Sequence, residues 1–382
     1  METTVERAAE KGIPSMLDDK IARTSATAGA AAWAVLAALA RVGMVRIGEL
    51  ELLFLFAPLV IVPLGMELGR VMGAGGWVME VARRIQPVGA GFAVVAICMP
   101  PGRTAGLVAL GWMAVCGLIA LDGVVGLWRE FGKKRTGEAP VATRSVTTHT
   151  VATHTVPAHS VAARVAALAG SVARIDLGVG GVWLVASRLG MRPMGIQEPI
   201  GLLTAVHFHY AGFATATIAA ALLRSRQKRF GEDRFARERF AQEGLARDRF
   251  ARDRRRNSWI ERLVIAIVVL PYLVAAGFVI SPALKMSAAV LFSASVACLG
   301  VVLRWQGTQA EKPAARLLLQ IAAGAVFAAM FFSGVYAVGD FVHRDWLTIP
   351  QMARTHGLLN AVGFCLCGLL GWLVETTGEN AH

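Results

Sequence analysis

Charged residues are scarce in this sequence: Asp, Glu, Lys and Arg make up 17% of its 382 residues, where about a quarter is usual for a soluble domain. With 55% hydrophobic residues and a mean hydropathy of +0.54, the chain lacks the polar surface a soluble fold needs, and reads as an integral membrane protein. Paired cysteines are missing too. Cys98, Cys116, Cys298, Cys365 and Cys367 all fall within apolar runs, with no spacing suited to zinc or a secreted disulfide framework, so they read as small core residues. The start, METTVERAAEKGIPSMLDDKIARTSATAG, lacks the basic region of a cleavable signal and carries Glu2, Glu6, Glu10, Asp18 and Asp19 instead; the first apolar run is expected to stay as an anchor. No ATP-binding motif is present. The net charge of +13 sits mostly in loops between apolar runs, so membrane topology explains it and nucleic acid is not expected as a partner.

What is present is a series of apolar runs. A helix needs about 20 such residues to cross a bilayer, and ten segments qualify: 26–45, 49–69, 86–102, 105–127, 172–189, 199–223, 259–279, 284–303, 315–338 and 353–374. The third and fifth are the weakest, the fifth because Arg174 and Asp176 lie near its start. Backbone facing lipid must satisfy its hydrogen bonds internally, so the expected fold is all-α, a polytopic transmembrane bundle of about ten helices. The chain then divides into an N-terminal tail (1–25), helices one to four (26–127), a low-complexity loop (128–171), helices five and six (172–223), a basic loop (224–258), helices seven to ten (259–374) and a C-terminal tail (375–382).

Lys and Arg in the connections and helix ends after helices two, four, six and eight number 3, 7, 14 and 3; those after one, three, five, seven and nine number 2, 1, 2, 1 and 2. Positive loops stay cytoplasmic, which places both termini on the cytoplasmic side. The first large loop repeats every five residues, with Val141, Val146, Val151, Val156 and Val161 in step with His149, His154 and His159. Period five suits neither a helix face nor a strand face and no acid or cysteine joins the histidines, so a threonine-rich linker is preferred to a metal tract. The second loop, with Phe235, Phe240, Leu245 and Phe250 amid alternating charge, reads as a charged helical segment that lies on anionic lipid headgroups over 224–256, or as a solvated insertion.

Ionisable groups inside a membrane usually face a protein interior or a water cavity. LTAVHFHYAGF at 203–213 holds His207, His209 and Tyr210, with Thr204 and Tyr210 at spacings of three from His207. The two histidines are two apart, about 200° around a helix, so a regular helix cannot aim both at one centre. MARTHGLLNAVGF continues to Cys367 and sets His356, Asn360, Gly363 and Cys367 at spacings of four, three and four, a stripe that meets another helix closely. His207 and Asn360 are expected at matching depth in the outer half of the bilayer. GLLTAVHF (201–208) and GLLNAVGF (357–364) agree at six of eight positions, as a repeat remnant or by chance. Glu51 and Arg188 are further site candidates, and Asp340 reads as an interfacial charge. Glu67, Asp122 and Asp176 lie toward the inner face, with Arg70, Arg129 and Arg174 as partners. No Gly/Pro-broken helix pair stands at matching positions.

These pieces resemble the YndJ-like family of bacterial polytopic membrane proteins, through ELLFLFAPLVIVPLG (51–65), VWLVASRLGMRPMG (182–195), IGLLTAVHFHYAGF (200–213) and IPQMARTHGLLNAVGF (349–364). The resemblance implies a transport role without substrate, mechanism or catalytic residues. Three functions stand open. A transporter would bind substrate or protons at His207, His209 or His356; an intramembrane enzyme or a metal or haem protein would use the same histidines as acid, base or ligands; a sensory or assembly subunit would use them structurally. No motif fixes a cofactor. A C-terminal fluorescent-protein fusion should fluoresce and an alkaline phosphatase fusion at the same place should be silent; the reverse pattern would invert the topology.

Overall fold

The computed structural model describes residues 24–73, 75–132, 161–240 and 245–377, of which 230–257 are described by backbone alone. The terminal tails and the Val/His repeats of 141–160 lie outside the described residues. Ten helices and no strand occur among them: α1 (24–41), α2 (Glu49–Val71), α3 (Trp77–Cys98), α4 (Arg103–Gly132), α5 (Val161–Arg188), α6 (spanning part Ile200–Arg229, helical on to Phe240), α7 (Leu245–Ile280, spanning part Ser258–Ile280), α8 (Pro282–Gly307), α9 (Pro313–Phe341) and α10 (Ile349–Thr376). Nine of them, α2 to α10, are long and apolar enough to cross a membrane.

The spanning parts of three helices start four or more residues earlier than the apolar runs suggest. In α3 the extra first turns carry Glu80 bridged to Arg83 at 3.2 Å and Arg84 at 3.1 Å, so i,i+3 and i,i+4 pairing keeps charged residues helical. α5 extends back through VAARVAALAG, alanine-rich and therefore strongly helix-forming, into what the sequence suggested was loop. α10 begins at Ile349 because Thr348 and Gln351 form a capping box with Pro350 in the first turn.

α2 and α6 are the centre of the bundle, with 89% and 94% of their apolar windows buried. α10 packs against both. α3, α4 and α5 form one flank and α7, α8 and α9 the other, joined to the centre through α5 against α6 and α9 against α10. Helices in lipid gain little from burying apolar surface, so close approach of small residues holds them. α3 shows this: Ala82, Gln86, Gly89, Ala93 and Ala96 are its buried stripe, while Val81, Val88, Phe92 and Val95 point outward.

α2, α6 and α10 each contain a stretch wound wider than an α-helix, with i→i+5 bonding: Ala57–Ile61, Phe208–Ala214, and both Ala353–Gly357 and Leu359–Leu366. Being four crossings apart, these helices run the same way, and the widened stretches touch one another. In α2 and α6 the widening begins eight residues after the helix start, at 57 after 49 and at 208 after 200. Matching interruptions therefore exist that Gly and Pro spacing did not reveal.

Two prolines govern α2. Within i→i+5 winding the carbonyls of Leu53 and Pro58 would meet the nitrogens of Pro58 and Pro63, which carry no hydrogen. Other helices satisfy both oxygens: Tyr210 Oη of α6 donates to Leu53 O at 2.8 Å, and Gln86 Nε2 of α3 donates to Pro58 O at 2.7 Å. Trp33 Nε1 of α1 donates to Leu52 O at 2.7 Å. α1 approaches so closely that a Cβ at Gly29 would lie 1.9 Å from Leu59 O, so glycine is required there. Tyr210→Phe should destabilise the protein by about 1–3 kcal/mol by orphaning a buried carbonyl. Adding Pro58→Ala should recover part of that loss by restoring an N–H, read as non-additive shifts in thermal unfolding in detergent.

Candidate functional site

The HFHYAGF stretch is mostly a packing junction. His209 is fully buried, and its Nδ1 lies 2.8 Å from Ala205 O. A carbonyl only accepts, so Nδ1 carries the proton and Nε2 keeps a lone pair, which Trp112 Nε1 of α4 occupies at 3.1 Å. Trp112 stacks on the imidazole at 5.9 Å and Phe54 meets it edge-on at 5.1 Å. On the α5 side Gly180 makes room: a Cβ there would sit 2.7 Å from Nδ1. Phe208 packs on Tyr272, a Cβ at Gly212 would sit 2.7 Å from Asp176, and Phe213 fills the space a side chain at Gly65 would need. His209 and Tyr210 are therefore committed to structure, and of the expected face of Thr204, His207 and Tyr210 only Thr204 and His207 remain together, Tyr210 being buried against α2. Thr204 turns back to Ile200 O at 2.8 Å.

His207 is the exception in the motif. Its ring reaches the bundle surface and its Nδ1 donates to Leu203 O at 2.8 Å, leaving the Nε2 lone pair uncommitted. His356 is arranged alike, its Nδ1 donating to Ala329 O of α9 at 2.8 Å. The two rings are close enough to interact electrostatically. Both lie seven residues into their helices, 207 after 200 and 356 after 349, or about 10 Å along the axis. Counted from the helix starts, His207 therefore aligns with His356, and Asn360 falls four residues further on, because the capping box starts α10 earlier. Asn360 lies about one turn deeper, buried, with Oδ1 lacking any hydrogen-bond partner. The echo between 201–208 and 357–364 begins one residue into α6 and eight into α10, so the two copies do not share a depth.

The wide winding breaks the regular spacing of the His356, Asn360, Gly363 and Cys367 stripe, yet it does meet a neighbour closely. A Cβ at Gly363 would lie 2.4 Å from Ala325 of α9, beside the Ala329 contact, while Gly357 faces Leu53 of α2 at 2.7 Å.

At the face where α2, α6 and α10 begin, Arg188 is buried, donates from Nη2 to Ser187 Oγ at 3.3 Å and has an unpartnered Nε. Glu51 and Glu198 lie within its electrostatic reach. Asp340 pairs with Lys285 at 2.7 Å. Toward the opposite face Glu67 pairs with Arg70 at 2.6 Å as expected, but the other two pairings are corrected. Asp122 binds Arg174 at 2.7 Å instead of Arg129, and Asp176 accepts from Tyr272 Oη, because Arg174 and Asp176 leave different sides of α5. Trp112, Gln86 and Tyr272 were invisible in the sequence: each acts on a residue of another helix, and an isolated polar aromatic or amide in an apolar run carries no local spacing signal.

Among the described residues no three His, Cys, Asp or Glu are grouped to hold a metal. With both nitrogens of His209 engaged, His207, His209 and His356 do not form a ligand trio. His209→Ala should lower stability by about 2–4 kcal/mol, through a cavity and an orphaned Trp112 N–H, whereas His207→Ala should stay within about 0.5 kcal/mol; melting of purified protein followed by size exclusion checks both.

The model of the YndJ-like protein family matches residues 52–364, which takes in most of the spanning region. A relative from Bacillus subtilis (strain 168), the "Uncharacterized membrane protein YndJ", is 28% identical over 201 residues, covering 53% of this chain and 32% of its own length. The chain thus aligns with about a third of that relative. No solved structure matches.

Proposed function

The chain belongs to the YndJ-like family, as a multi-pass membrane protein, and we propose that it is a small-molecule transporter of the bacterial inner membrane. The observation that carries this reading is the His207 and His356 pair: two imidazoles at one depth, each with Nδ1 held by a carbonyl and Nε2 open. Asn360 Oδ1 adds a third unfilled acceptor one turn deeper. Acceptors alone call for a solute that brings N–H or O–H groups or positive charge, with the proton as the smallest such ligand. The widened turns of α2, α6 and α10 support the same reading, since such turns recur at functional sites. Arg224 and Arg226, which were expected on anionic headgroups, are held inside the bundle, and the rest of that basic segment, 230–256, would rest on the headgroups without taking part in transport.

The test is reconstitution in proteoliposomes with currents recorded on a supported membrane for amines, amino alcohols and protons. Wild type and a chain lacking 230–256 should pass current; His207→Ala and His356→Ala should abolish it while inserting and melting normally. Equal loss of folded protein in all three variants would favour a structural subunit. Stoichiometric metal or a Soret band in the purified protein would replace transport by the intramembrane enzyme or haem reading.

A further inference from the structure

Beyond the packed aromatic layer, toward the face opposite the histidines, a cavity of about 40 Å³ opens between α2, α3, α5 and α6. One water needs about 10–15 Å³ on this measure, so it accommodates roughly three water-sized atoms. It runs along α6 from Phe213, the last aromatic of the HFHYAGF stretch, through Thr217 to Arg224, about 16 Å by helix rise.

Its lining contains two arginines, Arg174 and Arg224, and no carboxylate. The acids nearby are committed or set back. Asp122 accepts from Arg174 Nη1 at 2.7 Å and from the Gly76 amide at 3.0 Å, Glu67 is paired with Arg70, and Glu130 reaches Arg224 electrostatically without lining the cavity. Arg174 also donates from Nη2 to Ser171 Oγ at 3.0 Å, but its Nε is buried and has no partner. Arg224 donates to Met72 O from Nη1. The two guanidinium groups line one cavity and lie within electrostatic reach of each other. Asp122 and Glu130 offset these charges from outside the lining, so an anion in the cavity would still face two cations and no carboxylate, and a planar guanidinium suits an oxyanion better than any other common partner. Space for that anion is built in: a Cβ at Gly69 or Gly170, both on the wall, would meet nothing within 4 Å.

We propose that this cavity binds a small oxyanion, a phosphate or carboxylate group, through the side chains of Arg174 and Arg224 that line it. The site stands on the cavity and its arginines and does not depend on the histidine pair or on transport. The anion comes either free from solution or as the headgroup of an anionic lipid.

The experiment uses the full chain in phosphatidylcholine nanodiscs, titrated with inorganic phosphate against chloride of equal ionic strength and followed calorimetrically. Phosphate should bind saturably to wild type and at least about tenfold more weakly to Arg224→Gln, which loses one charge-assisted partner. Gly170→Leu, which fills the cavity and keeps both arginines, should weaken binding similarly while melting like wild type. In nanodiscs containing phosphatidylglycerol, loss of phosphate binding together with Arg224-dependent retention of that lipid in native mass spectra identifies the headgroup as the occupant; unchanged phosphate binding identifies the free anion. Phosphate binding of equal strength in all variants overturns the proposal. So does a wild type that neither binds phosphate in phosphatidylcholine nor retains phosphatidylglycerol through Arg224. Because the readout is binding, a failure here leaves the transport reading of the histidines standing.

Discussion

A carbonyl oxygen inside a bilayer has no water to turn to, so every break in helical hydrogen bonding must be repaired by another part of the protein. α2 contains two prolines five residues apart, and each removes the N–H that a carbonyl five residues earlier would meet in wide winding. The repairs come from Tyr210 of α6 and Gln86 of α3, with Trp33 of α1 on the neighbouring Leu52 oxygen. Three helices are thereby fastened to one short segment. That requirement places α2 at the centre, brings α6 against it and explains why the polar residues of HFHYAGF are so densely used.

The same fastening separates the molecule into two polar regions. Between them lies a layer of Phe54, His209, Tyr210 and Phe213, with Trp112 closing one side. His209 belongs to this layer as a neutral imidazole: protonating it would set a second N–H against that of Trp112. His207, two residues away, escapes because it precedes the wide turn and projects from the bundle. Two adjacent-looking histidines thus differ in role for a geometric reason, one locked at both nitrogens and one held at Nδ1 alone.

The all-helical, multi-pass fold was legible in the sequence because apolar length is a strong local signal, and nine of the ten segments reappear as helices able to span. Helix starts were less legible, since Glu80 with Arg83 and Arg84, or Thr348 with Gln351, extend helices past the apolar run through local bonds that hydropathy does not count. The wide turns were not legible at all: Pro58 and Pro63 signal trouble in α2, but α6 and α10 have no proline within their widened stretches and are wound by contacts across the bundle. The candidate site was half legible. The spacing of two between His207 and His209 argued against a shared centre, and the two rings do have different partners, whereas the alignment of His207 with His356 depended on where α10 begins.

The two polar regions along the α2 and α6 seam differ in chemical sense. Near the start of α6 the open groups are the Nε2 atoms of His207 and His356 and the Oδ1 of Asn360, all acceptors. Beyond the aromatic layer the cavity is lined by Arg174 and Arg224, both donors with positive charge, and by no carboxylate. A solute recognised at both ends has to present N–H or O–H groups to the first and an oxyanion to the second, as a zwitterion does. A purely apolar solute meets neither demand and a simple anion only one. Turning Tyr210 or Phe213 aside to join the two regions would strip Leu53 of its hydrogen bond or empty the space against Gly65, so the packing that holds α2 and α6 together also keeps the two regions apart.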